Sequence, residues 1–311
     1  MKVALVLKKS GEFQAVGNLG YFDMKLLKKE VDLVTSIEEA DVCVCWKEVP
    51  DSIDLNKAVL FQSEPPIASN IKATYKEFDN YLHVFCFNPK DENQSSITSD
   101  PISYPYNPAS KFQITREDTS MTGKGFFFAG MRRDNIDWKK TCEFGNKVIY
   151  ALRSEIALKM KELNDGSLIL GKGFSDNTKA GDWRSNKYDD INLADNDFMF
   201  CCENSIFPNY ISEKIHDGFN SDRVTCYLGD PHINSHVPKS AFIDMNDFID
   251  AEGFNAVSFD KFILSLTQSD YDSYLKSARE FRSTLSSRHV EERTKITSKL
   301  LDVLKNKVEC R

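Results

Sequence analysis

No stretch of this sequence is long and apolar enough to cross a membrane. The run nearest its start, residues 3–7, falls far short of the roughly 20 residues that a spanning helix needs. It is also too short for the apolar core of a secretory signal, so the expected location is the cytoplasm. Positive charge is not in excess either. The 40 lysines and arginines are outnumbered by 47 acidic residues, for a formal charge of -7. That balance argues against a nucleic-acid partner and leaves any phosphate binding to a few local cations. The eight cysteines contain no C-x-x-C pair of the zinc-holding kind. They lie mostly in apolar, strand-like runs and are expected as buried, reduced thiols, with no structural disulfide. No repeat or long linker divides the chain. Its 311 residues are 41% hydrophobic and 28% charged, which suits a globular protein of two domains.

What is there is organised around residues 197–231. An apolar run over 198–202 predicts a buried strand, the spacing over 211–219 predicts a helix, and 224–228 predicts a second strand that stops at Gly229-Asp230-Pro231. Strand, helix, strand is the unit of a parallel sheet, and ligands bind beyond the carboxyl ends of such strands. Glu203, Asn204, Ser205 and the start of the next helix therefore occupy the place a nucleotide would take.

The rest of the chain alternates in the same way. Strands are expected over 2–7, 31–34, 41–46, 57–61 and 81–87, with a glycine-marked loop over 11–20 and a helix over 23–29. The strand over 57–61 runs into Gln62-Ser63-Glu64-Pro65-Pro66. Two successive prolines force the chain out of the sheet and leave Glu64 at its carboxyl edge. Residues 88–116 read as a long loop system. Beyond them come a strand between Gly123 and Gly130, a helix over 147–163 with Arg153 off its apolar face, and a strand over 167–170. The polar residues 175–195 read as a loop. Three amphipathic helices are expected over 258–266, 271–285 and 291–308.

Four segments, in order and with their spacing intact, carry a resemblance: Glu203-Asn204-Ser205, then 210–214 (Tyr-Ile-Ser-Glu-Lys), then 228–231 (Leu-Gly-Asp-Pro), then 238–248. Together they resemble the C-terminal signature of the α-1,3/4-fucosyltransferases, glycosyltransferase family 10. The resemblance implies an α/β, GT-B-like fold, with two Rossmann-like domains and the active site in the cleft between them. It implies an acceptor-side domain over 1–120, a nucleotide-sugar domain over 121–285, and a last helix, 286–311, packing back on the first. It further implies an inverting transfer of L-fucose from GDP-fucose to a hydroxyl of a glycan acceptor. Two alternatives stay open: the same fold with another GDP-sugar or a UDP-sugar, and an inactive protein that binds glycan or nucleotide.

Such a transfer needs a base for the acceptor hydroxyl and cations for the departing diphosphate. Lys214, near the start of a helix, and Arg153 are the expected diphosphate contacts. Glu213 and Tyr210 are expected beside the sugar or ribose, Asn204 and Ser205 beside ribose and phosphate, and Lys172, between two glycines, as a further donor contact. Glu64 is the expected catalytic base, from its strand-end position and its likeness to the family's N-terminal glutamate. No cofactor and no bound metal are needed if side chains neutralise the diphosphate, although Mn²⁺ or Mg²⁺ can stimulate by pairing with it. Asp195-Asn196-Asp197 has the D-x-D form of metal-dependent transferases but precedes its strand, so it reads as a turn. His232 and His236 have metal-like spacing yet lack a nearby third ligand and read as a surface loop.

Overall fold

The computed structural model describes residues 1–18, 22–46, 48–62, 81–83, 95–96, 116, 119–123, 125–132, 147–172, 174, 195–206 and 210–309. The chain divides into two compact units, Met1–Tyr104 with Ser287–Arg311, and Pro105–Ser286. Each is built on a doubly wound sheet.

In the first unit the strands are β1 (Lys2–Lys9), β2 (Glu12–Val16), β3 (Asp32–Leu33), β4 (Val42–Trp46), β5 (Ala58–Gln62), β6 (Tyr81–His83) and β7 (Ser95–Ser96). They form one sheet in the order β2-β1-β4-β5-β6-β7, with β3 sharing the β2 edge of β1. All pairings but β1 with β2 are parallel. Val3 to Val6, Val42, Val44 and Val59 to Phe61 have no exposed surface, the continuous apolar runs expected of strands covered on both faces. The expected loop after β1 is instead a hairpin, with Lys9 opposite Glu12. Its two turn residues, Ser10 (φ 53°) and Gly11 (φ 90°), both adopt the left-handed conformation that a tight two-residue turn requires. Helix α1 (Met24–Glu30) is capped by Asp23, whose Oδ1 accepts from the Lys25 and Leu26 amides at 3.0 and 3.1 Å.

The second unit contains β8 (Phe126–Arg132), β9 (Lys147–Val148), α2 (Tyr150–Leu163), β10 (Leu168–Lys172), β11 (Phe198–Cys202), β12 (Ser205–Ile206), α3 (Glu213–Asn220), β13 (Val224–Leu228), β14 (Phe242–Asp244) and α4 (Ala256–Ser265). Its main sheet is wholly parallel in the order β10-β8-β11-β13-β14. Alternate residues separate its two faces. Phe126, Phe128, Phe198, Phe200, Cys202, Val224, Cys226 and Leu228 pack with Leu152, Ile156 and Met160 of α2 and with Phe259 of α4. The rings of Phe126 and Phe198 stack at 4.9 Å. Met199, Cys201, Thr225 and Tyr227 belong to the other face, which α3 covers.

The two helices expected over 271–285 and 291–308 are one, α5 (Gln268–Glu309). The junction Ser286-Ser287-Arg288-His289-Val290 holds no glycine or proline to stop it. Its residues up to Ser286 belong to the second unit, where the Tyr271 hydroxyl donates to the Asp197 carbonyl at 2.8 Å. Its later residues belong to the first, where Thr297 Oγ1 accepts from the Asp23 amide at 2.7 Å and Arg293 donates to the Phe22 carbonyl.

Helix α3 lies close on the sheet because Gly218 has no side chain. A Cβ there would sit 2.5 Å from Thr225 Oγ1 and 2.9 Å from Cys201 Sγ. Alanine favours a helix over glycine by up to about 1 kcal/mol, but overpacking of this kind costs about 1 to 3 kcal/mol. Gly218→Ala is therefore expected to lower the urea midpoint of the second unit's unfolding. A raised midpoint would mean that α3 packs loosely on β11 and β13.

Candidate functional site

Numbered along the second unit alone, its sheet runs 2-1-3-4-5, so successive connections leave in opposite directions on either side of β8 and β11. At such a switch point the carboxyl ends of the two strands open onto a crevice rather than onto a crossover. Glu203, Asn204 and Ser205 directly follow β11.

Two helices begin against these three residues. The Ile149 amide, just ahead of α2, donates to the Asn204 carbonyl at 3.1 Å, and β9 pairs with β12 through Ser205 and Val148. One turn into α2, Arg153 donates from Nη1 to Asn204 Oδ1 at 2.9 Å. Arg153 is only 7% exposed. Contrary to the expectation from its spacing, it sits on the buried side of α2, one turn from the core residues Ile149, Ile156 and Ala157, and its guanidinium is directed to Asn204. Helix α3 begins at Ser212, whose hydroxyl caps the helix by accepting from the Lys214 amide at 3.4 Å. Lys214 Nζ folds back to the same hydroxyl at 2.9 Å. Two helix N-termini and two cations thus adjoin one short segment, which suits a ligand with two negative charges.

Beneath Lys214 lies a carboxylate with no exposed surface, Glu203. Its Oε1 accepts from the Ser212 amide at 2.8 Å and the Tyr227 hydroxyl at 3.3 Å, and its Oε2 accepts from the Ser212 hydroxyl at 2.6 Å. Lys214 Nζ is 3.5 Å from that Oε2 and 3.4 Å from Glu213 Oε1. Burial alone would pull the Lys214 pKa down, but the charges of Glu203 and Glu213 outweigh it and the net shift is upward. Burial pushes the neighbouring Cys202 thiol up to about 12 and holds the Tyr227 hydroxyl well above its usual range, so both stay protonated near neutrality. Gly229 lets the chain pass over this cluster, since a Cβ there would meet Tyr227 Oη at 2.4 Å and Glu203 Cγ at 2.6 Å.

Of the residues expected from the sequence, the structure gathers Arg153, Asn204, Ser205 and Lys214 about the carboxyl end of β11. Glu213 sits on the first turn of α3 with its side chain 49% exposed, and the Lys214 side chain is 18% exposed, so both can meet a ligand from solvent. Tyr210 is buried just ahead of α3. The Ser205 hydroxyl is turned inward with no hydrogen-bond partner, so it does not face a ligand in this conformation. The backbone of Lys172 closes β10, and its side chain lies outside the described residues. So does Glu64, two positions beyond the last residue of β5. Ser212 and Tyr227 were not singled out from the sequence. No sequence signal joined them to Glu203, which lies 9 and 24 positions away.

The other acidic and histidine motifs have structural partners. Asp197 precedes β11, at the end of the sheet opposite the carboxyl edge, and its Oδ1 accepts from the Thr122 amide and hydroxyl at 2.8 and 3.0 Å. Asn196 donates to the Gly166 carbonyl at 2.9 Å. His236 Nε2 is 4.0 Å from Asp230 Oδ2, and His232 is exposed. Among the described residues no three of His, Cys, Asp and Glu gather as a metal site would require. Cys43, Cys45, Cys201, Cys202 and Cys226 are buried free thiols. No helix of the described residues is long and apolar enough to cross a membrane.

Residues 158–309 match the family described as "Glycosyltransferase family 10 (fucosyltransferase) C-term", a span that includes Asn204 to Lys214 but begins after Arg153. Among solved structures the chain is similar to an alpha1,3-fucosyltransferase with GDP-fucose, at 12% identity and a TM-score of 0.52, over 93% of this chain and 90% of that one. A second alpha1,3-fucosyltransferase structure gives 12% identity and a TM-score of 0.53, over 98% and 90%. At that identity the likeness establishes the fold, α/β and GT-B-like. No curated protein matches the sequence.

The cap and the carboxylate beneath it yield a stability prediction. Ser212→Ala removes the N-cap and leaves Glu203 without its shortest hydrogen bond, each costing about 1 to 2 kcal/mol. Thermal unfolding should show Ser212→Ala clearly destabilised and Ser212→Thr, which keeps the hydroxyl, close to wild type. Equal stability of Ser212→Ala and wild type would contradict the hydrogen bonding described.

Proposed function

We propose, from the premise that residues 158–309 belong to glycosyltransferase family 10 (fucosyltransferase), that the chain is an inverting transferase moving L-fucose from GDP-fucose to a glycan hydroxyl. The observation that carries this reading is the pair of cations, Lys214 and Arg153, set at two helix N-termini beside the switch point of a doubly wound sheet. That arrangement suits the diphosphate of a nucleotide sugar. The guanosine and the fucose are supported by the similar solved structure, which holds GDP-fucose. Buried free thiols in both units suit a reducing compartment, and we place the enzyme in the cytoplasm.

In the reaction, Glu64 accepts the proton of the acceptor hydroxyl as that oxygen bonds to the anomeric carbon of fucose. The bond from that carbon to the β-phosphate oxygen breaks on the opposite face, and its electron pair leaves with GDP. A single displacement inverts the anomeric centre. Lys214 and Arg153 stabilise the charge that gathers on the leaving diphosphate, a charge metal ions often meet in other enzymes. Glu213 and Tyr210 contact sugar or ribose hydroxyls, and Asn204, which Arg153 already orients, contacts ribose or phosphate. Lys172 adds a donor contact at the end of β10. A panel of nucleotides in thermal shift tests the donor: selective stabilisation by GDP supports the reading, and a preference for UDP moves the donor to a UDP-sugar.

The division of labour predicts two kinetic signatures. Lys214→Ala should weaken GDP binding by roughly 10- to 150-fold, the loss of one charge-assisted hydrogen bond. Glu64→Gln should leave GDP affinity near wild type while turnover falls roughly 100- to 10,000-fold, with the acidic limb of the pH-rate profile flattened. Normal GDP affinity in Lys214→Ala, or normal turnover in Glu64→Gln, removes that residue from its role. Activity should also persist in EDTA, because side-chain cations meet the leaving charge. Abolition by EDTA with restoration by Mn²⁺ would contradict that account.

A further inference from the structure

Glu203 takes no direct part in the transfer just described, and with no exposed surface it cannot touch a ligand. Yet it accepts three hydrogen bonds from two segments distant in sequence, Ser212 and Tyr227. Two of the three fix Ser212, the residue that both starts α3 and receives Lys214 Nζ. Ser212 thereby links the two charges: its hydroxyl accepts from the ammonium at 2.9 Å and passes its own proton toward Glu203 at 2.6 Å.

We propose that Glu203 is a positioning residue, which through Ser212 holds the Lys214 ammonium at the first turn of α3 and maintains it as a cation. This rests on Lys214 as the diphosphate contact. The groups facing Lys214 from the elements around it divide clearly. Glu203, after β11, and Glu213, on α3 itself, favour the charged form, and Arg153 from α2 opposes it. Glu213 is half exposed at 3.4 Å, so solvent screens it, whereas Glu203 is fully shielded and its field is not diluted. Cys202 and Tyr227, from β11 and β13, are held neutral by burial and supply no countercharge. The carboxylate of Asp230, beyond β13, is engaged elsewhere, its Oδ1 accepting from the His232 amide at 2.9 Å and its Oδ2 lying 4.0 Å from His236 Nε2. With Glu203 neutralised, the burial that disfavours an ammonium acts against one screened carboxylate and a nearby guanidinium. The Lys214 pKa should then fall below its wild-type value.

The test is GDP affinity by calorimetry between pH 7 and 9 for wild type, Glu203→Gln, and Glu203→Gln with Lys214→Arg. Dividing each Kd by the wild-type value at the same pH cancels the ionisation of GDP itself. The sign follows from which form binds: the cation is present below its pKa and lost above it. Glu203→Gln should approach wild-type affinity at pH 7 and lose about tenfold per unit above its lowered midpoint. Adding Lys214→Arg should flatten that dependence, since a guanidinium does not deprotonate in this range. A Glu203→Gln affinity ratio that is constant with pH would reduce Glu203 to a purely structural role and overturn the proposal.

If wild type binds no GDP, the donor reading fails, and the proposal is then read on ligand-free protein by amine acylation of Lys214 followed by mass spectrometry. The midpoint in wild type should lie at or above the ordinary lysine value of about 10.4, and in Glu203→Gln below it. A wild-type midpoint below the ordinary value overturns the proposal, and this readout holds even if Glu203→Gln fails to fold.

Discussion

The constraint on which the second unit depends is the order of its parallel strands. Connections that leave β8 and β11 in opposite directions leave their carboxyl ends uncovered, so that edge must end in polar groups that satisfy one another. Glu203 and Asn204 meet that need by receiving the starts of the two helices that follow in space, α3 through Ser212 and α2 through Ile149. The gathering of two helix N-termini at the edge is thus a by-product of how the sheet closes. Helices that must start there bring their free amides with them.

Electrostatics at this edge is local rather than global. The chain carries a formal charge of -7, yet Arg153 and Lys214 meet beside one three-residue segment. A buried cation without a counterion would lose its proton, and a buried carboxylate without donors would gain one. In the Glu203, Ser212, Lys214 and Tyr227 network the carboxylate has its donors and the ammonium has a carboxylate 3.5 Å away. Breaking a single member is therefore expected to cost more than any one hydrogen bond, because each remaining partner keeps its burial and loses its compensation.

Much of the fold was legible because fully buried parallel strands read as short apolar runs. Residues 198–202 and 224–228 coincide with β11 and β13, and Gly229-Asp230-Pro231 ends the second as expected. The hairpin of β1 and β2 was missed because Ser10 is not a residue whose identity announces a left-handed turn. The unbroken α5 was read as two helices because paired serines at 286 and 287 interrupt its apolar spacing without stopping its hydrogen bonding. At the site, Lys214 and Arg153 could be proposed from position, charge and the family resemblance. The anchoring of Lys214 could not, since Ser212 and Tyr227 lie 9 and 24 positions from Glu203 and only the crossover of β11, α3 and β13 unites them. Leu163, the last residue of the helix expected over 147–163, is 46% exposed because α2 ends there.

The central claim is that this edge binds a nucleoside diphosphate sugar so that its sugar is transferred. Mass spectrometry of a glycan array incubated with the protein and GDP-fucose tests it most directly. The account predicts that particular glycans gain the mass of one deoxyhexose while GDP is released in equal amount. Release of GDP and free fucose with no change in any glycan, or glycan products that form only with a UDP-sugar, would contradict it.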